Sequence, residues 1–300
     1  MSELPVALRQ ALADALGSRI GASVPMTGGM INRSARVEAG GERVFVKWNP
    51  AAPVGFYAAE ADGLERIRAV GALRVPRVLA RRDAGEEGPA PPYLALELVE
   101  SAPPHDERAF SRGFADALAD HHRRSARPGA QFGLDRDNYL GLNAQPNAPH
   151  DSWAAFYRDC RLAPQAAVAR RHGRMPPHRE RRLEAVMAVL DRLLPTRNEA
   201  PCLVHGDLWS GNFLPANGAA VVIDPAVYLA DREVEMAYVE LFGGFPRGFV
   251  DAYASAWPLD RGYAHRRPLL QLYPLLVHLN HFGEVPYGAM VDGALRAYVR

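Results

Sequence analysis

The chain has 300 residues, a length suited to two packed lobes or one large domain, and its 48% hydrophobic and 23% charged residues exclude wholesale disorder. Thirty-five basic against 34 acidic side chains leave a formal charge of +1, so bulk electrostatics favours neither nucleic acid nor an anionic membrane. No apolar run approaches the ~20 residues of a membrane span, and two cysteines, Cys160 and Cys202, are too few for a disulfide framework, which points to a reducing cytoplasm.

The opening segment, MSELPVALRQALADALG, carries an acid at Glu3 and leucines at 4, 8, 12 and 16. That spacing predicts a helix over 4–16 rather than a signal peptide. From about Ala22 to Trp48, three strands joined by Gly28-Gly29 and Gly40-Gly41 predict a meander. Alternation in the third strand sets Arg43, Phe45 and Lys47 on one face, with Val44, Val46 and Trp48 on the other. A helix follows over 56–70 with Gly71 as its cap, then strands near 77–82 and 93–98. Two prolines make 100–106 a linker. Beyond it, helices are expected at about 107–125, 150–171, 178–194, 231–242, 247–257 and 266–282. One β interruption breaks this series, with strands at 212–214 and 220–223 around Asn217-Gly218. The expected fold class is α+β: a small, mainly β N-terminal lobe over 1–99 and a larger helical C-terminal lobe over 100–300.

Of the 35 basic residues, 34 are arginine and one, Lys47, is lysine. A compact ammonium is not interchangeable with a guanidinium at a tight phosphate site, which makes Lys47 a candidate phosphate anchor. The densest chemistry lies at 205–212, HGDLWSGN, and at 221–225, VVIDP. Asp207 and Asn212 are five apart on a glycine-containing loop, and the intervening hairpin folds Asp224 back beside Asn212. Two oxygen donors, Asn212 and Asp224, then meet at one point, as a hard cation such as Mg²⁺ requires. Asp207 stays free to position an attacking hydroxyl and accept its proton, the division of labour that phosphoryl transfer from ATP needs. Gly28 and Gly29 would let backbone amides approach a triphosphate. Glu60, with Glu65 as rival, would hold Lys47 against it. The backbone at Glu97 and Val99 would meet an adenine edge, with Leu96 in the pocket wall. His205 reads as a brace for its loop; His121, His122, His278 and His281 read as packing or surface groups.

These motifs resemble the fructosamine (ketosamine) kinase family, within the aminoglycoside-phosphotransferase-like, protein-kinase-like superfamily. The resemblance runs nearly end to end: TGGMIN at 27–32, FVK at 45–47 with AEADGL at 59–64, FGLDRDN at 132–138, HGDLWSGN, IDPA at 223–226, FGGF at 242–245 and LNHFG at 279–283. It implies a bilobal protein-kinase-like fold and an ATP- and Mg²⁺-dependent kinase acting on a sugar hydroxyl of ketosamines, small molecules or glycated protein lysines, in deglycation repair. Carried over residue by residue, it implies Asp207 as base, Asn212 and Asp224 as metal ligands, Lys47 as phosphate anchor and Glu60 as its partner. Trp209 is a candidate sugar platform or a packing residue; Asp137 and Asn138 shape the acceptor side or form an Asx turn. The glycine loop lacks the cysteine of some members, so a monomer is favoured over a disulfide-switched dimer. No DFG triplet or long activation segment is present, against a protein kinase. Two alternatives remain: an aminoglycoside- or choline-type phosphotransferase, and a non-catalytic nucleotide-binding regulatory module.

Overall fold

The computed structural model describes residues 4–26, 31–194 and 200–299. Helix α1 (Val6–Leu16) buries Leu8 and Leu12, with Leu4 just before it, and ends at Gly17 in the left-handed region. It packs on an antiparallel sheet of β1 (Ile20–Met26), β2 (Arg33–Ala39), β3 (Glu42–Trp48), β4 (Val78–Arg82) and β5 (Tyr93–Glu97), in the order β1-β2-β3-β5-β4. Strand alternation divides the sheet as the sequence predicts. Val44, Val46, Trp48, Tyr93 and Ala95 face α1 in a small core, whereas Leu94 and Leu96 join the main core with Leu64 and Ile67 of α2 (Phe56–Val70). Gly71 caps α2 at φ 74°.

The larger region begins with α3 (Glu107–Ser125), whose N-terminus is capped by the Asp106 side chain accepting from the Ala109 N–H. Then come the short strands β6 (Asn138–Leu140) and β7 (Asn143–Gln145). Helix α4 (Trp153–Phe156) passes through a π-helical stretch, Tyr157–Leu162, into α5 (Ala163–Arg171). Next are α6 (Pro177–Met187), α7 (Leu190–Leu193), β8 (Cys202–Val204), β9 (Phe213–Ala216), β10 (Ala219–Val222) and β11 (Tyr228–Ala230). The chain closes with α8 (Glu233–Phe242), α9 (Phe249–Ala256), α10 (Tyr263–Leu270), α11 (Leu272–Phe282) and α12 (Tyr287–Arg296). The fold is α+β and bilobal, a five-stranded sheet followed by a larger helical region.

Several expectations need correction. The helix expected at 178–194 is two, α6 and α7. The one expected at 266–282 starts earlier and divides at Gln271. Pro274 has no N–H for the Leu270 carbonyl, and the Tyr157 hydroxyl enters the gap. It reaches the Leu269 and Leu270 carbonyls at 2.9 and 3.0 Å and accepts from the Tyr273 N–H at 3.2 Å. Strands β6, β7, β8 and β11 have no counterpart in the sequence reading, because a three-residue strand carries no measurable period; helix α12, ten residues long, also has no counterpart there. The hairpin strands run to Ala216 and Ala219, leaving only Asn217 and Gly218 in the turn, both at positive φ, as a type I′ turn requires.

Candidate active site

A cleft of about 550 Å³ lies between the sheet and the helical region, and Lys47, Glu60, Asp207, Trp209, Asn212 and Asp224 all line it. Lys47 projects from β3 on the face away from α1 and is only 4% exposed. Its Nζ sits 2.6 Å from Glu60 Oε2 on α2 and 2.8 Å from Asp224 Oδ1 after β10. Burial pulls the Lys47 pKa down, but the carboxylates of Asp224 and Glu60 outweigh it and hold the ammonium above its ordinary value. Glu65, the rival partner, pairs instead with Arg68 on the outer face of α2.

The loop after β8 is held from several sides. Glu235, buried on α8, accepts the backbone N–H groups of His205 and Gly206, each at 2.9 Å, and contacts His122 Nε2 at 3.0 Å. His205 Nε2 lies 2.9 Å from the Ile223 carbonyl, and the Asp207 N–H donates to His205 Nδ1. The ring thus carries its proton on Nε2 and braces the loop to the hairpin, as the sequence predicts. Gly206 sits at φ 82°, and a Cβ there would stand 2.1 Å from the Ala226 carbonyl oxygen, so no other residue fits.

Asp207 Oδ1 accepts from the Tyr238 hydroxyl, and Oδ2 accepts from Asn212 Nδ2 at 3.0 Å. Burial pushes the Asp207 carboxyl up to about 7, against the lowering effect of the Tyr238 and Asn212 hydrogen bonds. The Asn212 amide nitrogen also donates to the Asp207 carbonyl at 2.8 Å, which leaves Oδ1 as the donor atom remaining. Backbone pairing between the Ile223 N–H and the Asn212 carbonyl places Asp224 beside Asn212. Asp224 adopts φ 56°, and its carboxylate is 45% exposed, with only Oδ1 in contact with Lys47. The remaining oxygens of Asn212 and Asp224 are hard donors, a set that fits Mg²⁺ held by few protein ligands plus substrate phosphates.

The segment after Asp224 is gripped from below. Asn138 Nδ2 donates to the Val227 carbonyl at 2.9 Å and Gln145 Nε2 to the Ala226 carbonyl at 3.0 Å. The Asp137 carboxylate accepts the Asn147 N–H. This pair therefore supports the Asp224 segment and its neighbouring loop. Glu97 and Val99 line the cleft with Leu96. The Glu97 N–H, however, donates to the Arg77 carbonyl at 2.9 Å, because β5 still pairs with the approach to β4 there. That N–H is thus unavailable to an adenine, and the Glu97 carboxylate is engaged by Arg74 and the Arg77 N–H. Trp209 is 37% exposed, its indole folded over Gly211. Gly28 and Gly29 lie outside the described residues.

Sequence reasoning missed Tyr238 and Glu235, and it read His122 as a packing or surface group without its link to Glu235. Their available signal was an acid, Glu235, inside the apolar run VEMAYV, with Tyr238 three residues on and therefore on the same helix face.

The fructosamine kinase family model matches residues 6–299. The Enterococcus faecium protein named "Probable ketoamine kinase" is 38% identical over 280 residues, covering 93% of this chain and 95% of that protein. The crystal structure of a Thermobifida fusca protein assigned as a fructosamine-3-kinase superposes with a TM-score of 0.84 at 34% identity, covering 99% of both chains. An aminoglycoside phosphotransferase in ternary complex with ADP and hygromycin B shares the fold, with a TM-score of 0.66 at 17% identity, covering 98% of this chain and 100% of that one.

Proposed function

This chain belongs to the fructosamine kinase family, and on that premise we propose that it transfers the γ-phosphoryl group of ATP to a sugar hydroxyl of a ketosamine. Kinase activity of the ketoamine class comes with the family; the nucleotide, the metal, the acceptor atom and the residue roles are our reading. The observation that carries it is the convergence of Lys47 from the sheet and Asp224 from the hairpin at 2.8 Å, within the cleft that Asp207 and Asn212 also line.

In this reading residues 1–99 hold the nucleotide and residues 100–300 the acceptor. Lys47, kept charged and aimed by Glu60, anchors the phosphates. Asn212 Oδ1 and Asp224 would hold Mg²⁺, which when bound neutralises phosphate charge. Asp207, fixed by Tyr238 and Asn212 and titrating near neutrality, accepts the proton of the attacking hydroxyl. Trp209 offers an indole face to the sugar. Deglycation of small ketosamines or of glycated protein lysines would follow, by a monomer in the cytoplasm. Two cysteines, both buried, suit a reducing compartment, and no helix among the described residues is long and apolar enough to cross a membrane.

The test is incubation of the purified chain with ATP, Mg²⁺ and a panel of fructosyl-lysine, ribulosyl-lysine and aminoglycoside acceptors, with ADP release and acceptor phosphorylation as readouts. Ketosamine phosphorylation is the expected result. Turnover confined to aminoglycosides, or nucleotide binding without turnover, would overturn it.

A further inference from the structure

The Lys47–Glu60 pair has a neighbour one turn earlier on α2. Tyr57 is buried there, and its hydroxyl donates to Asn32 Oδ1 at 3.2 Å. Tyr57 and Glu60 are three apart and share a helix face, so two bridges run side by side from α2 to the sheet side of the cleft. Asn32 stands just before β2 and lines the cleft with Ser34, Lys47 and Asp224. Ser34 is the register partner of Lys47, and Asn32, two residues earlier, belongs to the same face of the sheet. Neither Asn32 nor Tyr57 has a task in the phosphoryl-transfer scheme.

Tyr57 decides which way the Asn32 amide is turned. Burial, and then the nearby carboxylates of Glu60 and Asp224, hold the Tyr57 hydroxyl above its ordinary pKa, so it stays a donor. A buried hydroxyl proton needs an acceptor, and among the described residues it has Asn32 Oδ1. With Oδ1 committed to α2, Nδ2 is left over. No hydrogen bond among the described residues takes it up, so its two N–H groups remain for a ligand in the cleft.

We propose that Asn32 donates from Nδ2 to an oxygen of the transferring γ-phosphoryl group, and that Tyr57 is the positioning residue that holds the amide in that orientation. The inference rests on the ATP-dependent kinase reading and adds a neutral donor to it. Strand register supplies the place along the nucleotide. Glu97, at the end read as the adenine site, pairs with Val44. Lys47 lies three residues farther along β3, about 10 Å, and Asn32 lies past the Arg33–Trp48 pair. The β3 lysine of a kinase-like site engages the first two phosphates, so the third extends beyond Lys47, toward Asn32. A neutral N–H there stabilises charge on the phosphoryl oxygens without setting a second cation beside the Lys47 ammonium.

The test titrates the whole chain, in Mg²⁺, with ADP and with AMP-PNP, which keeps a third phosphate and is not turned over. Asn32→Ala removes the amide; Tyr57→Phe removes only the hydroxyl and should leave the fold intact. Asn32→Ala should weaken AMP-PNP binding about ten- to a hundredfold, the scale of a hydrogen bond to a charged group, and leave ADP binding within about twofold. Tyr57→Phe should weaken AMP-PNP binding alone, by about three- to tenfold, the cost of fixing a freed side chain. Added to Asn32→Ala it should change nothing more, and the acceptor KM should not move in either variant. Equal losses for ADP and AMP-PNP, or no loss for either, would overturn the γ-phosphate contact and leave the ketosamine reading standing. So would a raised acceptor KM beside an unchanged AMP-PNP affinity, which would assign the amide to the sugar. Wild-type AMP-PNP affinity in Tyr57→Phe would overturn the positioning role. A wild-type chain that binds neither nucleotide would overturn this inference and the kinase reading together.

Discussion

Asp207 has both carboxyl oxygens occupied by neutral donors, Tyr238 and Asn212, whereas Lys47 is held by Glu60 and Asp224. Asp207→Asn preserves its shape, removes its charge and its capacity to take a proton, and turns one of the two acceptor oxygens into a donor. Turnover should fall about a hundred- to ten-thousand-fold, with nucleotide affinity and thermal midpoint nearly unmoved; steady-state kinetics beside a nucleotide titration checks this, and a wild-type rate would remove Asp207 from its role. His121 reports on stability instead. Burial lowers its pKa to about 3, whereas the unfolded chain protonates near 6.5. Between those values the unfolded state binds the extra proton, so this residue makes folding less favourable as pH falls, by about 1.4 kcal/mol per pH unit. In urea unfolding at pH 7.5, 6 and 5, His121→Leu should therefore gain on the wild type as the solution is acidified. Parallel pH curves would show that His121 titrates normally in the fold.

Elements place these groups, and at this scale the sequence was legible in part. The capping glycine Gly71 marked the end of α2, and the Asn-Gly pair marked the hairpin that returns Asp224 to Asn212, because each signal is local. The three-residue strands β6 and β7 gave no such signal, yet they hold the Asp224 segment through Asn138 and Gln145. Nothing local marks an amide whose partner lies 89 positions away. Asn138→Ala would leave the buried Val227 carbonyl without its donor, at a cost of about 1–3 kcal/mol. The urea midpoint should fall accordingly and the KM for ATP should rise, since Asp224 lies three residues upstream of the freed carbonyl. An unchanged midpoint together with an unchanged KM would show that the strand pair is not what holds this segment.

At the scale of the whole molecule, the bond from Lys47 Nζ to Asp224 ties sheet to helical region across the cleft, and the amine that makes it is the only lysine amine in the chain. Composition singled out Lys47 and motif spacing pointed to Glu60 as its partner before any fold was known, but the contact to Asp224 across the cleft was not readable, because it depends on how the two regions meet. An amine reacts with aldehydes and active esters only when it is uncharged and reachable. Lys47 is only 4% exposed at the cleft wall, and Glu60 and Asp224 keep it protonated and engaged. Denaturation releases it from both. Reductive methylation with formaldehyde under native conditions should therefore modify the chain's α-amino group alone, and after denaturation in urea should add Lys47, both read by peptide mass spectrometry. The same contrast should hold for ribose, so that the folded chain forms no lysine Amadori adduct of the class its family acts on. Modification of Lys47 at equal rates in both states would mean that the cleft stands open in solution and that the contact to Asp224 is not its resting geometry.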